Sequence, residues 1–248
     1  MPLPTPEIYE NSLSLHRAAA DYFLKVYQAA VTSQDMFHVA LSGGTTPKHL
    51  YKLLAQSEYA EQIDWSKVSV YFGDERFVPH THNDSNFKMA SQALLQHVAI
   101  PETNIHKVAT NLATAQLAAE DYEMQLMQHL PKNDFNKIQF DLILLGLGPD
   151  GHTASLFPDT NILQQQTKYC DAVFVKKFNS WRISITFPVI NQAKHILLLS
   201  EGAAKSDIVY ALSQTNAENL IYPVQMIKPQ NTMHWYIDKS AAARLISP

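Results

Sequence analysis

The stretch from Asp141 to Pro158 begins with an aliphatic run that is bounded by glycines and too short to cross a membrane. Such a run reads as a strand buried on both faces, as in parallel sheets covered by helices. The same design occurs twice upstream, at Phe37 to Pro47 and at Val68 to Pro79, where apolar segments give way to small and polar residues. Three strands that all end in polar, glycine-containing loops predict an open, mainly parallel Rossmann-like α/β sheet, with helices on both faces and its functional loops along one edge.

The remaining pattern agrees. Amphipathic periodicity predicts helices over 13–30, 47–54, 83–97 and 112–130, and shorter ones near 188–192, 203–212 and 240–245. Later strands are expected over 172–175, 182–186, 196–199 and 232–237. No Pro/Ser-rich linker or change of composition divides the chain, so residues 1–248 are read as a single domain.

Composition excludes several classes. A net charge of −4 without a Lys/Arg cluster argues against a nucleic-acid surface. The N-terminal Met-Pro-Leu-Pro-Thr-Pro-Glu resembles neither a signal peptide nor a membrane span, so a cytoplasmic protein is expected. Cys170 is the single cysteine and is expected to be a small, partly buried residue. His80 and His82 form a close pair, but no HExxH or Cys/His cluster accompanies them, and no metal site is expected.

The three loops carry the chemistry. Gly146, Gly148 and Gly151 surround Asp150 and His152 at a strand's carboxyl end. Histidine titrates nearest neutrality, so His152 can serve as a general base without a large shift. In the first loop, Ser42, Gly43, Gly44 and Thr45 precede Pro47, which suits a first helical turn. Free amides there, the helix dipole and the hydroxyls of Ser42, Thr45 and Thr46 suit a phosphate. Neither a Walker loop nor a GxGxxG fingerprint is present, which points to a phosphorylated small molecule instead of a nucleotide. Taken alone, the loop also reads as a plain strand-to-helix turn with Thr45 as N-cap. In the second loop, Asp74, Glu75 and Arg76 are adjacent, so part of the set must be exposed or salt-bridged. The Arg76 guanidinium suits either an anionic group of a substrate or negative charge developing on a carbonyl oxygen.

Together these motifs resemble the 6-phosphogluconolactonase family. The resemblance rests on Leu41-Ser-Gly-Gly-Thr-Thr-Pro, Gly73-Asp-Glu-Arg-Phe-Val-Pro, Asp84-Ser-Asn86 and Gly148-Pro-Asp-Gly-His-Thr-Ala-Ser-Leu-Phe-Pro. Farther on come Arg182-Ile-Ser-Ile-Thr, Gly202-Ala-Ala-Lys205 and Trp235-Tyr-Ile-Asp238. It implies hydrolysis of 6-phospho-D-glucono-1,5-lactone without a cofactor. Under it, His152, Asp150, Arg76 and Asp74 are catalytic candidates, while Ser42, Gly43, Gly44, Thr45, Asn86, Arg182 and Lys205 are candidates for the substrate and its phosphate. Without it, Arg182 reads as a strand surface charge and Lys205 as a solvated first-turn lysine. The approach to Arg182, Asn179-Ser180-Trp181, departs from the more proline-rich family pattern.

The same fold serves glucosamine-6-phosphate deaminases and sugar-phosphate isomerases, so fold alone does not choose the reaction. The deaminase pattern has Asp-Glu-Tyr at Asp74-Glu75-Arg76, and a glutamate where this chain has Phe157. Lactonase is therefore the expected activity, with a deaminase or a non-catalytic sugar-phosphate-binding protein as alternatives.

Overall fold

The computed structural model describes residues 3–214 and 222–246. The apolar runs lie at the centre of a six-stranded sheet. Its strands are β1 (Glu7–Tyr9), β2 (Phe37–Leu41), β3 (Val68–Phe72), β5 (Leu142–Gly146), β8 (His195–Ser200) and β9 (Thr232–Asp238), in the order β1-β9-β8-β5-β2-β3. Every pairing is parallel, for example Val39 with Leu142, and Leu144 with Leu197. β2, β3 and β5 have almost no exposed residue, because helices cover both faces.

Successive residues of these strands feed opposite cores, as a pleat of period two requires. Leu41, Leu144 and Leu199 pack with Leu15, Phe23 and Leu50 from α1 (Ser12–Gln34) and α2 (Thr45–Leu54). Ala40, Leu145 and Leu198 pack against the opposite layer, with Ala118 and Tyr122 from α5 (Ala115–His129). Each fully buried leucine contributes about 2 kcal/mol. Around them lie the short helices α3 (Ser57–Ala60), α4 (Asn86–Ala90), α6 (Phe187–Ile190) and α8 (Ala243–Ile246), and the longer α7 (Ser206–Ser213).

Four expectations change. The charged triplet of the second loop is a short strand, β4 (Asp74–Arg76). It pairs antiparallel with β7 (Ser180–Ile185), which pairs antiparallel with β6 (Cys170–Val175), so residues 172–175 and 182–186 belong to a second, three-stranded sheet. The helix expected over 83–97 is interrupted: Ser85 caps α4 through Lys88 N–H, and a π-helical turn over Ser91–Leu95 follows. The edge strand β1 was not expected, since three residues leave no period to read. The mainly parallel α/β reading holds.

The chain leaves β2 toward β3 on one side and returns through β5, β8 and β9 on the other. That reversal puts a crevice between the carboxyl ends of β2 and β5, where ligands bind in open α/β sheets. The loops carrying Ser42–Thr45 and Asp150–His152 flank it.

Candidate active site

The first loop is held from behind by a buried tyrosine. Tyr51 of α2 is fully buried, and its hydroxyl accepts from Ser42 N–H and donates to Ser42 C=O, both at 2.8 Å. Gly44, at φ 103°, caps α2 without any side-chain hydrogen bond, so Thr45 is the first helical residue, not the N-cap. The first-turn amides of Thr45 and Thr46 are therefore left for a ligand. Gly43 cannot carry a side chain: a Cβ there would lie 2.0 Å from Asn86 Oδ1.

His152 hydrogen-bonds through Nδ1 to Asp150 Oδ1, and Lys177 Nζ lies 3.3 Å from the other carboxylate oxygen. Nε2 is thus the nitrogen left for chemistry. One face of the ring stacks on Phe157, with centroids 3.9 Å apart and planes at 28°. The ring also lies so close to Gly148 that a Cβ there would come within 2.0 Å of Nδ1. Burial pushes the His152 pKa below its usual value, against the pull of Asp150, so the resting ring is neutral. Burial would raise Asp150, but its hydrogen bonds and charge contacts with His152 and Lys177 outweigh that and hold its carboxyl low. The loop is tight: Gly151 sits at φ 73° against Tyr222, and Ala154 adopts φ 47°, a left-handed conformation that costs an alanine roughly 1 kcal/mol.

β4 separates its three charges by role. Glu75 points inward and is buried; its carboxylate accepts from the N–H groups of Arg76, Asn86 and Phe87 and from Ser85 Oγ, at 2.7 to 3.0 Å. Burial nevertheless raises its pKa. It fastens the segment around Asp84 and Asn86 to the sheet. Asp74 faces the cleft and accepts from Ser155 Oγ at 2.6 Å and from Asn86 Nδ2 at 3.2 Å. Asn86 is itself almost fully buried and does not line the cleft, so the structure places it behind Asp74 and Gly43 as a support, away from the ligand space where sequence grouped it.

Arg76 and Arg182 face each other in register across β4 and β7. Arg76 Nη1 donates to Asp84 C=O at 2.6 Å, while the Nε of each arginine is buried without a hydrogen-bond partner. Burial and the neighbouring Arg76 charge both lower the Arg182 pKa.

Two joined spaces result. A cavity of about 200 Å³ is walled by Ser42–Pro47, Asp74, Arg76, Gly148, His152, Ala154 and Lys205. Lys205 reaches it from the turn after β8, donating to Leu147 C=O at 2.7 Å, with a pKa lowered by burial. A second cavity of about 460 Å³ shares Asp74, Arg76, His152 and Ala154 and adds Arg182, Asp84, Ser155 and Phe178. Lys205 and Arg182 thus stand at opposite ends of one cleft with His152 and Arg76 between them, although sequence grouped the two cations on one phosphate. Sequence reasoning missed Tyr51, Ser155 and the orienting role of Phe157. A tyrosine seven residues beyond Gly44, on the inner face of α2, was the available signal for the first.

Comparison with known proteins agrees with this geometry. The model of the glucosamine-6-phosphate isomerases/6-phosphogluconolactonase family matches residues 10–235. A 6-phosphogluconolactonase of Haemophilus influenzae is 42% identical over 215 residues, covering 84% of this chain and 87% of its own. One from a Nostoc species is 36% identical over 241 residues, covering 97% and 98%. The crystal structure of 6-phosphogluconolactonase from Leishmania guyanensis superposes with a TM-score of 0.86 at 30% identity, covering 98% of this chain and 99% of that one. A cleft at the sheet's reversal point, a family model spanning nine-tenths of the sequence and relatives matched along nearly their whole length lead to one assignment: the chain belongs to the glucosamine-6-phosphate isomerase/6-phosphogluconolactonase family.

Proposed function

We propose that the cleft hydrolyses 6-phospho-D-glucono-1,5-lactone to 6-phospho-D-gluconate, the reaction that opens a phosphorylated sugar lactone in the pentose phosphate pathway. The observation that carries this reading is the placement of His152: held through Nδ1 by Asp150, its pKa lowered by burial, and lining a cleft with Lys205 on one side and Arg76 and Arg182 on the other.

His152 Nε2 takes a proton from water as the water oxygen bonds to the lactone carbonyl carbon. Negative charge moves to the carbonyl oxygen, where the Arg76 side supplies compensation. Collapse of the tetrahedral centre breaks the bond to the ring oxygen, which leaves with the proton that His152 has held. Asp150 keeps the ring in one tautomer and stabilises its charged form while the proton is there. Base, orienting acid and cations are all side chains, so the proposal calls on no cofactor.

For the phosphate we favour the Ser42–Thr45 loop with Lys205, since uncapped helix amides and an ammonium converge there. A second placement has its own support: the unpartnered Nε atoms of Arg76 and Arg182 form a cationic pair suited to a dianion. Deaminase activity has less support, because Phe157, in van der Waals contact with His152, stands where the deaminase pattern has its glutamate. The proposal includes a cytoplasmic setting, as the sequence analysis expects.

The test is hydrolysis of freshly generated lactone by the purified protein, followed against the spontaneous rate. Acceleration that falls at least about a hundredfold in His152→Ala supports the reading. No acceleration by the folded protein overturns it.

A further inference from the structure

The loop that carries His152 is touched by the turn joining β6 and β7. That turn, Lys176–Phe178, is a single 3₁₀ turn closed by Asn179 at φ 46°, a left-handed conformation that asparagine tolerates better than most residues. Two of its side chains reach the immediate neighbours of the base. Lys177 Nζ lies 3.3 Å from Asp150 Oδ2, while His152 Nδ1 bonds the other oxygen of the same carboxylate. Phe178 meets Phe157 edge to face, with centroids 5.8 Å apart and planes at 69°, and Phe157 in turn stacks on His152. The Phe178 ring also lies under two cations, Lys177 Nζ at 5.5 Å and the Arg182 guanidinium at 5.6 Å. Asp150, Phe157 and Lys177 border a further cavity of about 800 Å³, so on that side open space, not packed core, adjoins them.

We propose that Lys177 is a positioning residue that acts on His152 through Asp150: it shares the carboxylate's charge, so that Asp150 orients the ring without holding it protonated, and Phe178 keeps the lysine in place by fastening the turn to Phe157. A carboxylate at Nδ1 fixes the tautomer of a base but also stabilises its imidazolium, which cannot take a proton. A cation on the far oxygen opposes the second effect and leaves the first intact. Other charged groups share the cavities of His152. Asp150 and Asp74 favour its protonated form, Lys205 opposes it, and Arg76, Arg182 and Asp84 line the adjoining walls. Lys177 differs from these in working on Asp150 itself, whose carboxyl it helps to hold low. The consequence for catalysis rests on His152 as the base proposed above; the coupling of Lys177 to His152 does not.

The experiment titrates protein labelled with ¹⁵N at histidine by long-range ¹H–¹⁵N correlation, with the His152 signal identified by its loss in His152→Gln. In Lys177→Met, which keeps an unbranched side chain and removes its charge, the His152 pKa should rise; in Lys177→Arg it should stay near that of the parent. A pKa that stays or falls in Lys177→Met overturns the inference, as does an equal rise in both variants. Phe178→Ala should shift it in the same direction by less, and should add nothing in the Lys177→Met background. An additive shift would remove Phe178 from the arrangement.

Lactone hydrolysis supplies the second readout. In Lys177→Met the acidic limb of kcat/KM should move upward, with activity on that limb falling about two- to fivefold, the range of an exposed ion pair, while KM and the rate at higher pH stay near those of the parent. A uniform loss at every pH would mark a merely structural lysine and overturn the inference. If the parent does not accelerate hydrolysis, the lactonase reading falls, and the titration still decides the role of Lys177.

Discussion

The imidazole of His152 lies almost parallel to the ring of Phe157, 3.9 Å between centroids. This contact shields one side of the base from water and sets its protonation as much as its orientation. Since burial lowers the His152 pKa, and only the neutral ring accepts a proton, activity should persist below the ordinary histidine value of about 6.5 and fail as pH drops further. In Phe157→Ser the ring is hydrated, its pKa rises, and the acidic limb of kcat/KM should move upward. A limb that stays in place would show that Phe157 does not tune the base.

Gly148→Ala is expected to impair chemistry without unfolding the protein. The added methyl would sit 2.0 Å from His152 Nδ1, at the end of a side chain that can swing away, but doing so breaks the bond to Asp150. A loss in kcat of about 10²-fold or more, with a nearly unchanged melting temperature, is the expected outcome. Retained kcat would mean that the observed ring position is not the working one.

The two cationic ends can be told apart by kinetics. With phosphate at the loop, Lys205→Ala should raise KM and leave kcat nearly unchanged, because a remote group binds ground and transition states alike. Burial also lowers the Lys205 pKa, so its charge is lost at a lower pH than that of an exposed lysine, and KM should climb correspondingly early on the alkaline side. Arg182→Ala should then act mainly on kcat. The reverse pattern would move the phosphate to the arginine pair.

Tyr51→Phe removes the hydroxyl that serves both backbone groups of Ser42. Two buried polar groups lose their partner, a destabilisation of about 1–3 kcal/mol measurable by denaturant unfolding. KM should rise as the loop loosens. Unchanged stability and KM together would mean that water or a neighbour replaces the hydroxyl.

The division between what the residues disclosed and what they hid has physical causes. β2, β3 and β5 were legible because continuous aliphatic runs have few other fates in a chain of this composition. The pairing of β4, β6 and β7 was not, because strand partners depend on contacts remote in sequence: Asp74 meets Ser184, and Cys170 meets Ile185. For the same reason His152 and its Asp150 partner, two residues apart, could be joined on paper, whereas Ser155 could not be seen reaching Asp74. Asn86 was marked by its motif, yet only its burial shows that it supports Asp74 instead of facing a ligand.

Arg76 and Arg182, opposite one another in the small sheet, have a consequence for the history of such a chain. Like charges in direct register weaken a strand pair, a cost that the nearby Asp74, Asp84 and Glu75 offset in part and that an anion seated there, on the second placement proposed above, would offset further. Lineages selected for heat resistance alone would be expected to discard one of the two. A descendant that keeps both advertises that its cleft is still in use.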